Sequence, residues 1–324
     1  MISEPRQNRS RSTEMSGHAL PKQPVMPYRN GRSRSAEIRS LDSAIGVLDL
    51  VREGHRPLLV SHAYTRDASK QEIIKGHLPP DLSRFAAMAN PVCTFKGRDV
   101  QMRTRSFNFL AYGAVIGATL VERFDVEGPI TLVVPENGLI ALNPPLTARR
   151  IGALSTRTTH PHFLALMQEL FDQLEIPVRI ENPYADWTKG EMMAQPENLK
   201  ILSRFADQTV SCGKWKRKGV QCGKCVPCLI RRASFHAAGI EDDTRYDPAH
   251  EDLRVVIEMP DDLRDDLLAM VLACRRLPQA NMPMWLAKTG PLPRDEASRA
   301  ALVGVAERGL GEVRAYLDDL GLIR

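Results

Sequence analysis

Residues 41–62 read LDSAIGVLDLVREGHRPLLVSH, and the fold turns on them. The first half predicts a helix from residue 41 or 42 to about residue 53, closed by Gly54, which tolerates the left-handed backbone of a helix end. After a turn, residues 56–62 predict a short buried strand. Helix, glycine and strand make half of a βαβ unit. The strand that should precede residue 42 is not evident, because AEIRS at 36–40 is too short and too charged for the middle of a sheet.

The alternation continues along the chain. Residues 91–96 predict another strand and residues 106–123 a long, charge-poor helix lying inside the layers. ITLVV at 130–134 is the best strand, and PENG follows it at once. Helices are expected over 161–174, 189–205 and 227–238, with extended chain over 178–181. Short apolar strands between such helices predict an α/β fold of Rossmann type, a parallel sheet with helices on both faces. Ligands of such sheets sit at the carboxyl ends of the strands. Beyond residue 240 the character changes: residues 241–266 hold 11 Asp+Glu against 3 Arg, and helical pattern resumes over 262–277 and 294–320. Three parts are expected: a disordered basic segment over 1–35, the α/β domain over 36–240, and an acidic linker with a small helical region over 241–324.

Composition narrows the function. The 324 residues are 43% hydrophobic and 26% charged, as in a globular chain. No run of 18 apolar residues and no secretory pattern occurs, so neither a membrane span nor export is expected, and a cytoplasmic location is. Of the net charge of +5, all lies in residues 1–40, which hold 8 Lys+Arg and 3 Asp+Glu; the rest of the chain holds 36 of each. A nucleic-acid partner is therefore not expected of the fold.

Four of the six cysteines fall in SCGKWKRKGVQCGKCVPCLIRR, at Cys212, Cys222, Cys225 and Cys228. The C-x9-C-x2-C-x2-C spacing lets four thiolates converge on one tetrahedral Zn²⁺, with Gly213 and Gly223 permitting tight turns. Such clustering favours a metal in a reducing cytosol over disulfides. Four cysteines close the shell, which reads as a structural clip; an iron–sulfur cluster is the alternative, since four cysteines alone do not select the metal. Seven basic residues and no acid lie within 212–232, and part of that charge offsets the formal charge of about −2 on a zinc tetrathiolate.

Several polar groups fall where a ligand would lie. Ser61 and His62 end the second strand. Arg103 and Arg105 precede the long helix and could grip a phosphate or carboxylate in bidentate fashion. Glu136, Asn137 and Gly138 follow the strongest strand at the carboxyl edge. Arg157, Thr158, Thr159 and His160 run into a proline-started helix, offering N–H groups and positive charge to an anion, or simply a capped helix start. Asp186, Lys189 and Glu191 put acid, cation and base in one turn. Lys189 is the preferred catalytic or phosphate-orienting group, and Trp187 beside it could stack on a flat base or pack. His162, His236 and Cys274 read as structural.

The cysteine segment with LIRRASFHAAGI behind it resembles the QueC, or 7-cyano-7-deazaguanine synthase, family of PP-loop ATPases. DWTKGEMM at 186–193 and the long helix after Arg103 and Arg105 are weaker matches, and the likeness covers residues 41–238. The stretch from Pro135 to Pro161, PENG…LNPP…STRTTHP, is more similar to the QueC-like proteins of bacterial anti-phage operons, above all the QatC group of the Qat system. The resemblance implies ATP- and Mg²⁺-dependent adenylation of a 7-deazaguanine carboxylate, followed by attack of ammonia or a protein amine. Asp42, Lys189, Arg157 and His160 would serve catalysis. Ser40, Asp42, Ser43, Ser61, His62, Arg103, Arg105, Glu136, Asn137 and Gly138 would hold the nucleotide. It also implies a protein partner from the same operon and a homodimer.

One departure stands out. The family's phosphate loop reads S-G-G-x-D-S, and its glycines let backbone amides wrap pyrophosphate. Here the matching positions are Ile38, Arg39, Ser40, Leu41, Asp42 and Ser43, so the DS half is present and the glycines are not. Either nucleotide hydrolysis is lost and the protein is a partner-binding scaffold, or residues 1–40 represent a misread start. For Asp42 and Ser43 an ordinary helix cap is the competing reading.

Overall fold

Among the described residues five short strands carry the fold, each joined to the next through a helical connection of the kind that parallel strands require. They are β1 (Arg34–Ala36), β2 (Leu58–His62), β3 (Arg84–Ala87), β4 (Ile130–Val133) and β5 (Val178–Glu181), in the order β3-β2-β1-β4-β5. All four pairings are parallel. This computed structural model describes residues 34–36, 40–62, 65–88, 105–124, 126, 128–151, 157–215 and 219–323. The strand expected over 91–96 lies outside them, as does Arg103.

The middle of the sheet corrects the reading of the sequence. A strand does precede residue 42: Arg34–Ala36 lies between β2 and β4, with Ser35 opposite both Leu58 and Leu132. Ladder hydrogen bonds use backbone groups, so two flanking strands can register a three-residue partner whatever its side chains.

Both faces are covered, because neighbouring strand residues point to opposite sides. Leu59 enters a core with helix α1 (Leu41–Arg52), Ile74 of α2 (Thr65–Gly76), and the helices α6 (Lys189–Met193) and α7 (Pro196–Leu202). Val60 enters another core with α3 (Arg105–Phe124) and Ile130. On that side Leu132 and Val178 pack against α3 and α5 (Pro161–Gln173). The helix expected over 189–205 is broken in two. Pro196 has no N–H to continue α6 and instead starts α7, with Gln195 held extended before it.

A third core joins α4 (Gly138–Leu142) and α8 (Val226–Ala238) to the C-terminal helices α9 (Leu253–Val256), α10 (Asp261–Arg276), α11 (Met282–Leu286) and α12 (Glu296–Asp319). Residues 31–324 thus form one compact unit. The open edge at β5 is closed by a side chain. Gln168 of α5 accepts from the Ile180 N–H at 2.7 Å and donates to the Val178 carbonyl at 3.1 Å, occupying groups that another strand would seek.

Candidate functional site

The carboxyl edge of β4 and the start of α1 meet at one buried carboxylate. Ser40 caps α1, its Oγ accepting from the Ser43 N–H at 3.1 Å and lying 2.7 Å from the Ser43 hydroxyl. Asp42, on the first turn, is fully buried. Its Oδ2 accepts from the side-chain amide of Asn137 at 2.7 Å and from the Asn137 N–H at 3.2 Å, while its Oδ1 is ion-paired to the Lys189 ammonium. Asn137 also caps α4. Burial pushes the Asp42 carboxyl up, but the Lys189 charge and these hydrogen bonds outweigh it and hold it below the usual range. Lys189 is only 4% exposed.

Glycines bring the backbones this close. A Cβ on Gly46 of α1 would lie 2.4 Å from Pro135, and one on Gly138 would lie 2.2 Å from the Ala185 carbonyl. Thr188 starts α6 with a capping box to Glu191, and this fixes the turn that presents Lys189. Helix α12 clamps the turn from outside. Arg308 donates to Glu191 at 2.5 Å and to the Asp186 carbonyl at 2.7 Å, and Glu312 accepts from the Thr188 hydroxyl and the Gly190 N–H. Burial raises the Glu312 carboxyl. Nothing in the sequence marks Arg308 or Glu312, which lie more than a hundred residues from the turn they hold.

Glu136 joins this cluster too, its side chain hydrogen-bonded to Asp42 and helping to hold that carboxyl down; Ser61, His62, Arg157 and His160 lie apart from it. Ser61 donates to the Phe85 carbonyl on β3 at 3.3 Å, and the His62 ring lies parallel to Tyr112 and edge-on to Phe109. The backbone of Glu136 is tied to the Asn182 side chain. Arg105 opens α3. Arg157 and His160 face the C-terminal region. His160 Nδ1 accepts from the His162 N–H at 3.2 Å, capping α5, and its Nε2 lies 3.0 Å from the Thr289 hydroxyl. Thr289 itself donates to the Leu286 carbonyl, so His160 is the neutral tautomer with its proton on Nε2. Burial, with Arg157 and His162 nearby, lowers its pKa to about 4. Arg157 donates to the Lys288 carbonyl.

The four cysteines form the second centre. All are buried, and their sulfurs lie within 4.8 Å of one another, with Cys225 Sγ 3.4 Å from Cys228 and 3.9 Å from Cys212. Tetrahedral bonds of about 2.3 Å space sulfurs about 3.8 Å apart, so the cluster has metal-site dimensions. Backbone N–H groups of Lys214 and Cys222 point at Cys212 Sγ, and that of Cys225 at Cys222 Sγ, each at 3.3 Å. Such donors stabilise thiolates. The thiols perturb one another in opposite directions. The Cys222 neighbour raises Cys212, yet Cys225 and Cys228 bring it down to about 7; Cys222 is driven lower still, and Cys225 and Cys228 are pushed up. The four sulfurs could hold a divalent cation, which would let all four ionise together. With four thiolates the coordination shell is closed, which supplies folding energy rather than an open catalytic position.

Two arginines behind the cluster escaped sequence reasoning. Arg231 is wholly buried and bonds the hydroxyls of Thr209 and Thr244 and the Ala206 carbonyl. No carboxylate pairs with it among the described residues; four thiolates on a divalent metal would supply its counter-charge. Arg232 lies over the Tyr246 ring, 3.9 Å from its centre.

The fold and the two centres define a doubly wound α/β protein with a four-cysteine metal module. Comparison with known proteins reaches one stretch of the chain. Residues 158–239, from the α5 cap through the cysteine segment to the end of α8, match the family model of the queuosine biosynthesis protein QueC. The chain is 42% identical over 71 residues to the 7-cyano-7-deazaguanine synthase of Cupriavidus taiwanensis, covering 22% of this chain and 30% of that protein. It is 43% identical over 70 residues to the synthase of Rhizobium etli, covering 22% and 28%. The chain thus matches under a third of the length of these relatives, and the matched stretch takes in the Lys189 turn and the four-cysteine segment.

Proposed function

We propose that this chain is a QueC-like PP-loop protein whose nucleotide pocket is closed by its own side chains, and that it serves as a metal-braced, partner-binding scaffold. One observation carries this reading: both oxygens of Asp42 are engaged internally, by Lys189 and Asn137, with the ion pair buried. A nucleotide that drew Lys189 to its phosphates would leave Asp42 uncompensated. That costs about 3–5 kcal/mol, or two to four powers of ten in affinity. The positions matching the two phosphate-loop glycines carry Arg39 and Ser40, residue types whose side chains hinder the close backbone approach that glycine allows. Residues 135–161 favour a place in an anti-phage complex of the Qat type, in the cytoplasm. Zinc is the metal the module suits best, and an iron–sulfur cluster is distinguished by its visible absorption.

Calorimetry with ATP and Mg²⁺ tests the closed pocket. The expected result is no binding at millimolar nucleotide. AMP release that needs a 7-carboxy-7-deazaguanine substrate, and that disappears in Lys189→Ala, overturns it. That outcome defines the second reading, an ATP-dependent ligase joining the carboxylate to ammonia or a protein amine, which the match of residues 158–239 to the synthases favours.

A further inference from the structure

Behind the metal module, α8, the loop of residues 240–251 and α12 enclose a cleft of about 360 Å³, away from Asp42 and Lys189. Its apolar wall is Phe235, Ile240 and the rings of Tyr246 and Tyr316. Its charged groups are two carboxylates, Asp242 and Glu251, against Arg232, with the His236 ring 5.7 Å from that of Tyr316. Asp242 is held in place by the Thr244 N–H at 3.1 Å and the Tyr246 hydroxyl at 2.7 Å, and each bond leaves its oxygen further accepting capacity. Glu251 is exposed and has no ion-pair partner among the described residues. Asp319 stands at the rim, 67% exposed and 2.7 Å from His236.

The one arginine in the wall is already committed. Arg232 donates to the carbonyls of Glu251 and His250 at 2.9 and 3.2 Å and lies over Tyr246. On its far side it touches Gly223 of the cysteine segment, 2.8 Å from where a Cβ would stand. Both of its terminal nitrogens are spent on backbone carbonyls, and it forms no ion pair with Asp242 or Glu251. The wall segment belongs to the stretch that holds 11 acids against 3 arginines.

From this geometry we infer that the cleft is a docking site for a basic segment of a protein partner, taking one arginine side chain between Tyr316 and the carboxylates of Asp242 and Glu251. The aliphatic stem lies along Phe235 and Ile240, and the planar guanidinium stacks on Tyr316 while pairing with carboxylate oxygens. Lysine fits less well, since it is a more strongly hydrated point charge that cannot stack. The occupant's being a protein rests on the scaffold reading above.

The test is a chemical-shift titration of the full-length, metal-loaded protein with acetyl-Gly-Arg-Gly-amide. Saturable binding is expected, with Kd on the order of 1 mM, centred on the resonances of Thr244, Tyr246 and Tyr316. Tyr316→Leu and Glu251→Gln each weaken it by about threefold or more, acetyl-Gly-Lys-Gly-amide binds more weakly, and Glu258→Gln leaves it unchanged. Equal binding of acetyl-Gly-Glu-Gly-amide, shifts spread over the whole acidic surface, or indifference to Tyr316→Leu overturns the proposal. ATP turnover measured on the same samples separates the two readings. Turnover with intact arginine binding removes the closed pocket and leaves the cleft, and the reverse result does the opposite.

Discussion

Lys189 and Asp42 are 147 positions apart and meet inside the protein, where each is the other's main compensation. Removing one partner is therefore worse than removing both. In urea unfolding, Asp42→Asn or Lys189→Met should cost about 3–5 kcal/mol, and the double variant should recover much of that. Because the Asp42 carboxyl is held below its ordinary 3.8, the pair stabilises fully above about pH 4, and the contribution is lost as pH falls through the lowered folded value. His160 behaves as a depressed base. Its stabilising effect is complete above pH 6.5 and declines as pH falls from 6.5 to about 4, where the unfolded chain binds a proton and the folded one does not. The slope amounts to about 3 kcal/mol over that span, and His160→Gln should flatten this part of the stability curve. At this scale the sequence was partly readable. The DS half of the loop motif, Lys189 and the four cysteines are local patterns. The closure of Asp42 by Asn137 and Lys189, and the clamp by Arg308 and Glu312, depend on long-range packing that no local pattern records.

Among the elements, Gln168 does the work of a sixth strand with one side chain. Gln168→Ala should lose about 1–2 kcal/mol from two hydrogen bonds to buried backbone. It should also make the protein associate with rising concentration, as sedimentation velocity would report, because the β5 edge is then open. Most elements were legible from apolar periodicity and glycine or proline punctuation: α1, β2, α3, β4, α5 and β5 fall within a residue or two of their expected bounds. Those that escaped share a physical cause. Helix α2, TRDASKQEIIKG, is too polar to show a strong stripe, and the Arg84–Ala87 strand has no apolar run. The 189–205 segment reads as one helix unless Pro196 is given its full weight as a stop.

For the molecule as a whole, the metal module is a joint. Cys228 sits on the first turn of α8, and α8 packs both on α6, which carries Lys189, and on α12. Metal analysis should find one zinc per chain. Cys228→Ser or strong chelation should lower the melting temperature by roughly 10 °C and loosen the Lys189 turn along with the C-terminal helices. No helix among the described residues is long and apolar enough to cross a membrane.

The placement of Arg34–Ala36 at the centre of the sheet has its own consequence. Most domains can be trimmed from an end with graded loss, as a fringe is shortened. Here the earliest described strand is the keel: β2 and β3 are fastened to one side of it, β4 and β5 to the other. A protein begun at residue 40 keeps every candidate side chain in the described site and both centres in its sequence. Yet it has no piece on which the two half-sheets can be laid. Such a truncation should not yield a weaker version of the fold but two strand pairs without a common plane.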